Sequence, residues 1–327
     1  MRRPRVCIHV PIEGDLKARI RATCRVFDID IGVPREELLG SLHDVEGILL
    51  TPRVQVDAEF FDAAPKLRVV STVSVGYDPF DIDEATRRGV VVGHTPGVLT
   101  NAVTDLTMSM IFSLGLKLFP AEAYVRSGGW ARHEPPPGLG FDVRGRTLGV
   151  IGFGRIGQEV TRRMQGFGMR TLWYDLFDSP PHGAPQSERR GLRELLAESD
   201  FVSLHANLDA GSRLLIGAEE LGKMKPSAYL VNTARGGLVD QSALTQALQT
   251  GALAGAALDV LEAEPPDLND PIVTLPNVIC FPHIGSATEE TRRAMRELAV
   301  DNLLAVLAEE RPPAAVNPEV LGRSPGL

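Results

Sequence analysis

Short apolar runs closed by turn residues alternate with amphipathic stretches along the whole chain, the pattern of parallel strands joined by crossover helices. In the first third, residues 6–10, 48–50, 68–71 and 90–92 predict strands, which run into Pro11, Thr51-Pro52, Gly76 and Gly93. A second series predicts strands at residues 147–151, 170–174, 201–204, 229–231, 256–258 and 278–280. A helical stretch over residues 102–118 separates the two series. Another over residues 289–309 follows the second, with Ala294, Leu298 and Val306 spaced to build one apolar face. This order predicts two α/β units. A last helix that returns to the first unit would make that unit discontinuous in sequence.

The length of 327 residues suffices for two cores. Hydrophobic residues at 43% and charged residues at 23% exclude a disordered chain or a fibrous repeat. A formal net charge of −8 offers no general attraction to phosphate polymers, so nucleic acid is not an expected partner. The most apolar stretch, residues 106–116, lies between Asp105 and Lys117 and falls short of the roughly 20 residues that span a bilayer. The apolar run at residues 6–10 is too short for a signal peptide before Glu13 and Asp15. Cys7, Cys24 and Cys280 show no CxxC spacing, and an odd count leaves one unpaired, which suits a reducing compartment. A cytoplasmic protein is the expectation. No His, Cys or carboxylate cluster has metal-ligand spacing, so no metal is expected.

The sharpest local signal is Gly152-Phe153-Gly154-Arg155-Ile156-Gly157. Three glycines at this spacing are weak evidence alone, but an apolar run precedes them, and Ile156, Val160 and Met164 follow at helical spacing. Gly152 would allow the tight turn, Gly154 the close approach of a pyrophosphate, and Gly157 close helix–strand packing. Free N–H groups at the helix N-terminus, with the charge of Arg155, would receive the phosphates. Asp175 closes the next predicted strand, 23 residues after Gly152, where a carboxylate would accept from the adenosine ribose hydroxyls and repel a 2′-phosphate. NAD is therefore favoured over NADP. Arg189 and Arg190, farther along, are the side chains that could answer a 2′-phosphate.

A dinucleotide needs a partner that manages the substrate's charge and proton. His283 follows the predicted strand at residues 278–280, at the strand end where α/β folds bind ligands. Arg235, in Asn232-Thr233-Ala234-Arg235-Gly236-Gly237, ends another strand and could clamp a carboxylate bidentately. Glu262 and Glu264 both follow the strand that ends at Leu258-Asp259, and either could hold the His283 ring and favour its imidazolium form. Spacing does not choose between them.

These motifs, with Pro282-His283-Ile284-Gly285-Ser286, resemble in order and spacing the D-isomer-specific 2-hydroxyacid dehydrogenases. The segments Ser74-Val75-Gly76-Tyr77-Asp78, Thr95-Pro96-Gly97-Val98-Leu99-Thr100 and Gly128-Gly129-Trp130 are similar to the glyoxylate/hydroxypyruvate reductase branch. The likeness runs from about residue 45 to residue 308. It implies two parallel-sheet domains, Rossmann-like and flavodoxin-like, with an active-site cleft between them. Residues 1–99 plus 288–327 would form the substrate domain, and residues 100–287 the NAD-binding domain with its dimerisation arm.

The resemblance also implies a catalytic set of Arg235, Glu264 and His283, choosing Glu264 over Glu262. Asp259 matches the residue that holds the nicotinamide carboxamide, and Val75 and Gly76 match the loop whose N–H groups bind the substrate carboxylate. Thr233, Ala234 and His283 join the cofactor contacts, as does Ile156. Leu50 and Thr51, at a strand end, are the expected pocket wall. One stretch departs from the family pattern: His205-Ala206-Asn207-Leu208-Asp209 replaces a His-x-Pro-Leu-Thr loop, so no catalytic role is carried over to His205.

The expected reaction is reduction of glyoxylate, hydroxypyruvate or a similar 2-oxo acid to the D-2-hydroxy acid, with NADH preferred over NADPH, by a homodimer. A regulatory domain like that of phosphoglycerate dehydrogenases finds no room, and Glu264 stands where formate dehydrogenases resemble a glutamine. Another D-2-hydroxyacid or phosphite dehydrogenase is the alternative within the class. An NAD-sensing corepressor-like scaffold is the alternative outside it.

Overall fold

The structure, a computed structural model, describes residues 2–177 and 183–322. The chain opens with β1 (Arg5–His9), α1 (Gly14–Thr23), β2 (Arg25–Asp28), α2 (Arg35–Gly40), β3 (Gly47–Leu50), α3 (Ala58–Ala63), β4 (Val69–Thr72), α4 (Ile82–Arg87) and β5 (Val91–Gly93). It continues through α5 (Thr100–Leu116), α6 (Leu118–Arg126), β6 (Thr147–Ile151), α7 (Arg155–Gly166), β7 (Arg170–Tyr174) and β8 (Glu188–Arg189). Then come α8 (Leu192–Glu198), β9 (Phe201–Leu204), α9 (Ala218–Leu221), β10 (Tyr229–Asn232), α10 (Gln241–Thr250), β11 (Gly255–Leu258), β12 (Val278–Cys280) and α11 (Glu289–Leu307). These elements form two compact units, one drawn from both ends of the chain up to Leu99 and from Thr288, the other from Thr100 to Ala287.

In the unit built from the chain ends, five parallel strands lie in the order β2-β1-β3-β4-β5, the flavodoxin-like arrangement. Every residue of β3 is buried because helices cover both faces of the sheet, and this produces an unbroken apolar run rather than alternation. Leu49 packs on the side of α11, with Met295, Ala299 and Leu303. Ile48 and Leu50 pack on the other side, against Phe60 and Phe61. The buried stripe of α11 includes Met295, Ala299, Leu303 and Val306; Val306 is buried as expected, while Ala294 and Leu298 are half-buried, each one residue before a buried position.

In the other unit, seven parallel strands lie in the order β12-β11-β10-β9-β6-β7-β8. The order reverses at β6, flanked by β7 and β9, so the loops after β6 and β9 part there and open a crevice at the carboxyl ends. Two strands escaped the apolar pattern, β2 and β8. Both are edge strands, half-exposed or exposed, and neither needs an apolar run. The helix expected at residues 102–118 is two helices, bent by 67° at Lys117, whose φ is 55°. Pro120 in the first turn of α6 would clash with the Leu116 carbonyl if the helix ran on, and the Gly115 carbonyl accepts from Phe141 N–H instead (2.8 Å). Among the described residues no single helix is long and apolar enough to cross a membrane.

Asp200, ahead of β9, ties the central strands together. Its carboxylate accepts from Thr147 N–H at 2.8 Å and from Lys225 Nζ at 2.9 Å. Burial alone would raise its pKa, but the Thr147 bond and the Lys225 bond and charge outweigh it and hold it below the ordinary 3.8. A depressed folded-state pKa gives stability that is present above the unfolded value and lost as pH falls through the folded one. Asp200→Asn is expected to lower the unfolding free energy by about 1–3 kcal/mol at pH 7. In urea titrations that difference from wild type should shrink as pH drops below about 4; a gap independent of pH would contradict the assignment.

Candidate active site

The turn after β6 shows why three glycines are needed at this spacing. Gly152 has φ of 90°, and a Cβ there would collide with the His205–Ala206 peptide beyond β9. A Cβ on Gly157 would overlap the Gly152 carbonyl oxygen. Gly154 has nothing within 4 Å of its Cβ position and is exposed, so the backbone is open there to an approaching group. It is also the N-cap of α7 and has no side chain to spend on the first-turn N–H groups. Those N–H groups, the dipole of α7 and exposed Arg155 favour an anion at this turn. Ile156 is half-buried and Gly157 buried beneath it. A dinucleotide pyrophosphate fits these features.

Asp175 follows β7 and accepts from Phe153 N–H at 2.6 Å, which fastens it to the glycine turn. The Phe153 ring is buried and stacks on Trp173 at 4.7 Å, so the turn is held from the core side as well. Arg190 is engaged away from it, with Nε on Glu198 (3.0 Å) and a terminal nitrogen on Glu188 (2.5 Å). Arg189 lies over the Trp173 ring at 5.8 Å. His205 donates its backbone N–H to the Ile151 carbonyl (2.7 Å), and its Nε2 lies 2.9 Å from the Ser203 hydroxyl. Loss of hydration depresses its pKa to about 3, so its imidazole is neutral near pH 7.

Three strand ends then bring the other candidates together. After β10, the buried Asn232 side chain accepts from Ala234 N–H (3.0 Å) and donates to the Arg235 carbonyl (2.9 Å), shaping the turn that presents Arg235. Arg235 Nη1 in turn donates to the Ala234 carbonyl at 2.7 Å. Thr233 is buried with its hydroxyl 3.0 Å from that of Thr107 on α5, so its side chain faces the core. Gly236 packs directly on the Leu261 peptide, where any Cβ would overlap the carbonyl oxygen. That approach locks the Arg235 turn to the loop carrying Glu264. Neither Asn232 nor Gly236 was singled out from the sequence, although the two glycines after Arg235 were a visible signal.

After β12, His283 takes a left-handed backbone, φ 56°, unusual for a residue with a side chain. Asp259, at the end of β11 and 1% exposed, braces this turn. Its carbonyl accepts from His283 N–H (2.9 Å), and its two carboxylate oxygens accept from Ile284 N–H (2.7 Å) and Gly285 N–H (2.8 Å). Burial, opposed by those two N–H groups and the charge of His283, raises the Asp259 pKa.

His283 Nδ1 meets Glu264 Oε2 at 2.7 Å. Glu264 Oε1 accepts from Leu261 N–H at 3.2 Å. Burial pulls the Glu264 pKa up, but the His283 bond and charge, the Leu261 N–H and the charge of Arg235 bring it below the ordinary carboxylate value. Glu262 is exposed and contributes only its N–H, to Gln241. With Nδ1 on the carboxylate, His283 offers Nε2 to a ligand: a positioned acid–base group in the unit that also carries Arg235 and the glycine turn.

In the other unit, Val75 and Gly76 lie in the bend after β4, and Thr51 is half-buried after β3. Leu50 does not belong to a pocket wall. It is fully buried in the core with Val56 and Phe60, because β3 is covered on both faces and its last side chain still points into a packed layer.

The model of the D-isomer specific 2-hydroxyacid dehydrogenase NAD-binding domain matches residues 108–285. A glyoxylate reductase of Thermococcus gammatolerans is 44% identical over 324 residues, covering 97% of each chain. The TT0316 protein of Thermus thermophilus superposes with a TM-score of 0.89 at 41% identity, covering 95% of this chain and 99% of that one. An NADPH-dependent glyoxylate/hydroxypyruvate reductase of Sinorhizobium meliloti, solved with NADP and malonate, superposes with a TM-score of 0.87 at 31% identity over 100% of both chains.

The brace under His283 is open to test. Asparagine at position 259 keeps one carbonyl oxygen, but sets its amide against the N–H of Ile284 or Gly285. Asp259→Asn is expected to cost about 1–3 kcal/mol of unfolding free energy. Amide exchange should accelerate at Ile284 and Gly285; unchanged protection there would show that the carboxylate is not what holds the turn.

Proposed function

The chain belongs to the D-isomer specific 2-hydroxyacid dehydrogenase family, and on that premise we propose that it reduces glyoxylate, hydroxypyruvate or a similar small 2-oxo acid to the D-2-hydroxy acid. The observation that carries this reading is the 2.7 Å bond between His283 Nδ1 and Glu264, in the unit that also holds the glycine turn. The glyoxylate reductases that the chain resembles across nearly its whole length support the substrate class. In this reading the unit built from the chain ends is the substrate domain, residues 1–99 plus 288–327, and residues 100–287 hold the nicotinamide cofactor.

A reduced nicotinamide dinucleotide, held through its pyrophosphate at the glycine turn, would supply the hydride for the carbonyl carbon. His283, oriented by Glu264 and bearing its proton at Nε2, donates that proton to the oxygen as charge develops there. Because Glu264 is held below the ordinary carboxylate pKa, it stays ionised near pH 7 and orients the ring through Nδ1. Arg235 suits the substrate carboxylate and polarises the carbonyl. In the unit built from the chain ends, the N–H groups of Val75 and Gly76 are likewise suited to a carboxylate. Asp259 and the backbone at Thr233 and Ala234 border the nicotinamide.

Asp175 supports a preference for NADH: one oxygen is taken by Phe153 N–H, the other suits a ribose hydroxyl, and its charge opposes a 2′-phosphate. The ion pairs that engage Arg190 draw it away from that role. A cytoplasmic homodimer completes the reading. Leu116, Leu118, Phe119, Val125 and Trp130 around α6 are between 46% and 69% exposed, an apolar cluster that calls for a partner surface. A single-chain mass in sedimentation at micromolar concentration would remove the dimer.

With glyoxylate or hydroxypyruvate, the protein is expected to oxidise NADH faster than NADPH, read from the loss of reduced-nicotinamide absorbance, and Asp175→Ala should narrow that ratio. His283→Ala should lower kcat by about 10²–10⁴-fold. Equal turnover by wild type and His283→Ala would defeat the assignment of the proton donor.

A further inference from the structure

We propose that His94 is a positioning residue for substrate recognition: its ring fixes the Val75–Gly76 peptide so that the bend after β4 presents two N–H groups side by side to a carboxylate. The inference rests on the proposed role of that bend, and gives it a cause. His94 Nδ1 lies 3.0 Å from the Val75 carbonyl oxygen. The carbonyl can only accept, so Nδ1 carries the hydrogen. One residue earlier, the Ser74 carbonyl accepts from Thr95 N–H at 2.8 Å. Two successive carbonyls are thus drawn to the same segment, residues 94–95.

In a trans peptide the C=O and the following N–H point in opposite directions. The Ser74 carbonyl shares its peptide unit with Val75 N–H, and the Val75 carbonyl shares its unit with Gly76 N–H. Pinning both carbonyls to residues 94–95 therefore turns both N–H groups away from that segment, to the same side. Among the described residues no backbone carbonyl accepts from either of them. Successive N–H groups facing one way form an anion site. An extended strand would have alternated them.

The clamp is itself held firmly. Asn302 on α11, fully buried, donates to the His94 carbonyl (2.9 Å) and accepts from Ala314 N–H (2.8 Å). A Cβ at Gly93 would press on Asn302, so the chain before His94 has little room to shift. The Tyr77 ring meets the His94 ring edge to face, with centroids 5.7 Å apart. The returning helix thereby reaches the substrate bend through one asparagine and one histidine.

The test uses two variants of similar size. Asparagine places an amide nitrogen at the same bond separation from Cβ as Nδ1, and leucine has no donor. His94→Leu is expected to raise KM for glyoxylate about tenfold, the loss of roughly one hydrogen bond's worth of ordering, with kcat within about threefold and KM for NADH unchanged. His94→Asn should return KM to near wild type. The methyl ester of glyoxylate, which lacks the anion, should be reduced equally well by all three proteins. Equal losses on acid and ester, or no rescue by asparagine, would overturn the proposal.

If His94→Leu does not fold, His94→Phe, which keeps a ring for Tyr77 but no donor, is read against His94→Asn in the same way. Gly76→Pro, which removes the N–H itself, separates the two levels. If it leaves KM for glyoxylate unchanged, the carboxylate role of the bend fails. If it raises KM while the donor-less variants do not, only the role of His94 fails.

Discussion

The carboxylate of Asp259, sealed at the end of β11, is the joint on which the candidate site depends. The residue's N–H reaches the Asn232 carbonyl at 2.9 Å, its carbonyl takes the His283 N–H, and its side chain takes the next two N–H groups. One residue thus links the ends of β10 and β11 to the turn after β12. A left-handed, side-chain-bearing residue such as His283 costs of order 1–3 kcal/mol, and persists only where its surroundings determine it. Three hydrogen bonds from one buried residue do so here, and they leave the imidazole free to meet Glu264.

Glycines supply the other constraint, through contact rather than flexibility. Gly236 lets the Arg235 turn touch the Leu261 peptide, and Gly152 lets the dinucleotide turn touch the peptide after His205. In each case two strand-end loops are closer than any side chain would permit. The result is a site of rigid parts, each loop fixed by a neighbour across the sheet rather than by its own length. The departure at residues 205–209 from the family's usual loop leaves the second of these contacts intact, because it involves backbone and not the altered side chains.

The family relation accounts for why these pieces occur together, and the physical reading accounts for what each one does. The glycine turn favours an anion through its open backbone at Gly154 and the start of α7. Asp175 is tied to the same turn through Phe153, so the groups that would meet pyrophosphate and ribose move as one body. In the unit built from the chain ends, α11 covers one face of the sheet, and through Asn302 it also sets the segment against which the bend after β4 is folded. Packing and recognition there share the same helix.

Much of this was legible in the chain. Apolar runs mark ten of the twelve strands among the described residues, most of them buried on both faces, and the steric demands of the dinucleotide turn leave a glycine signature. The order of motifs carried the family. The edge strands β2 and β8 were not legible because they are exposed or half-exposed and carry charged residues, whereas the edge strands β5 and β12 keep apolar runs. Pro120 was the visible mark of the break between α5 and α6, and it outweighs the apolar periodicity that runs through it.

What only the tertiary structure decided concerns side chains distant in sequence. Glu262 and Glu264 are equivalent by spacing; the resemblance chose Glu264, and the bond to His283 supplies the physical ground, because the loop brings that carboxylate to the imidazole. Leu50 reads as a strand end near a crevice, yet packing on both faces of β3 takes it into the core. Asn232 and His94 are ordinary polar residues along the chain, and nothing in the sequence marks Asp259 as the support of the His283 turn. They become braces because buried carbonyls and N–H groups must be paired, and which group stands opposite is fixed by the fold and not by the neighbouring residues.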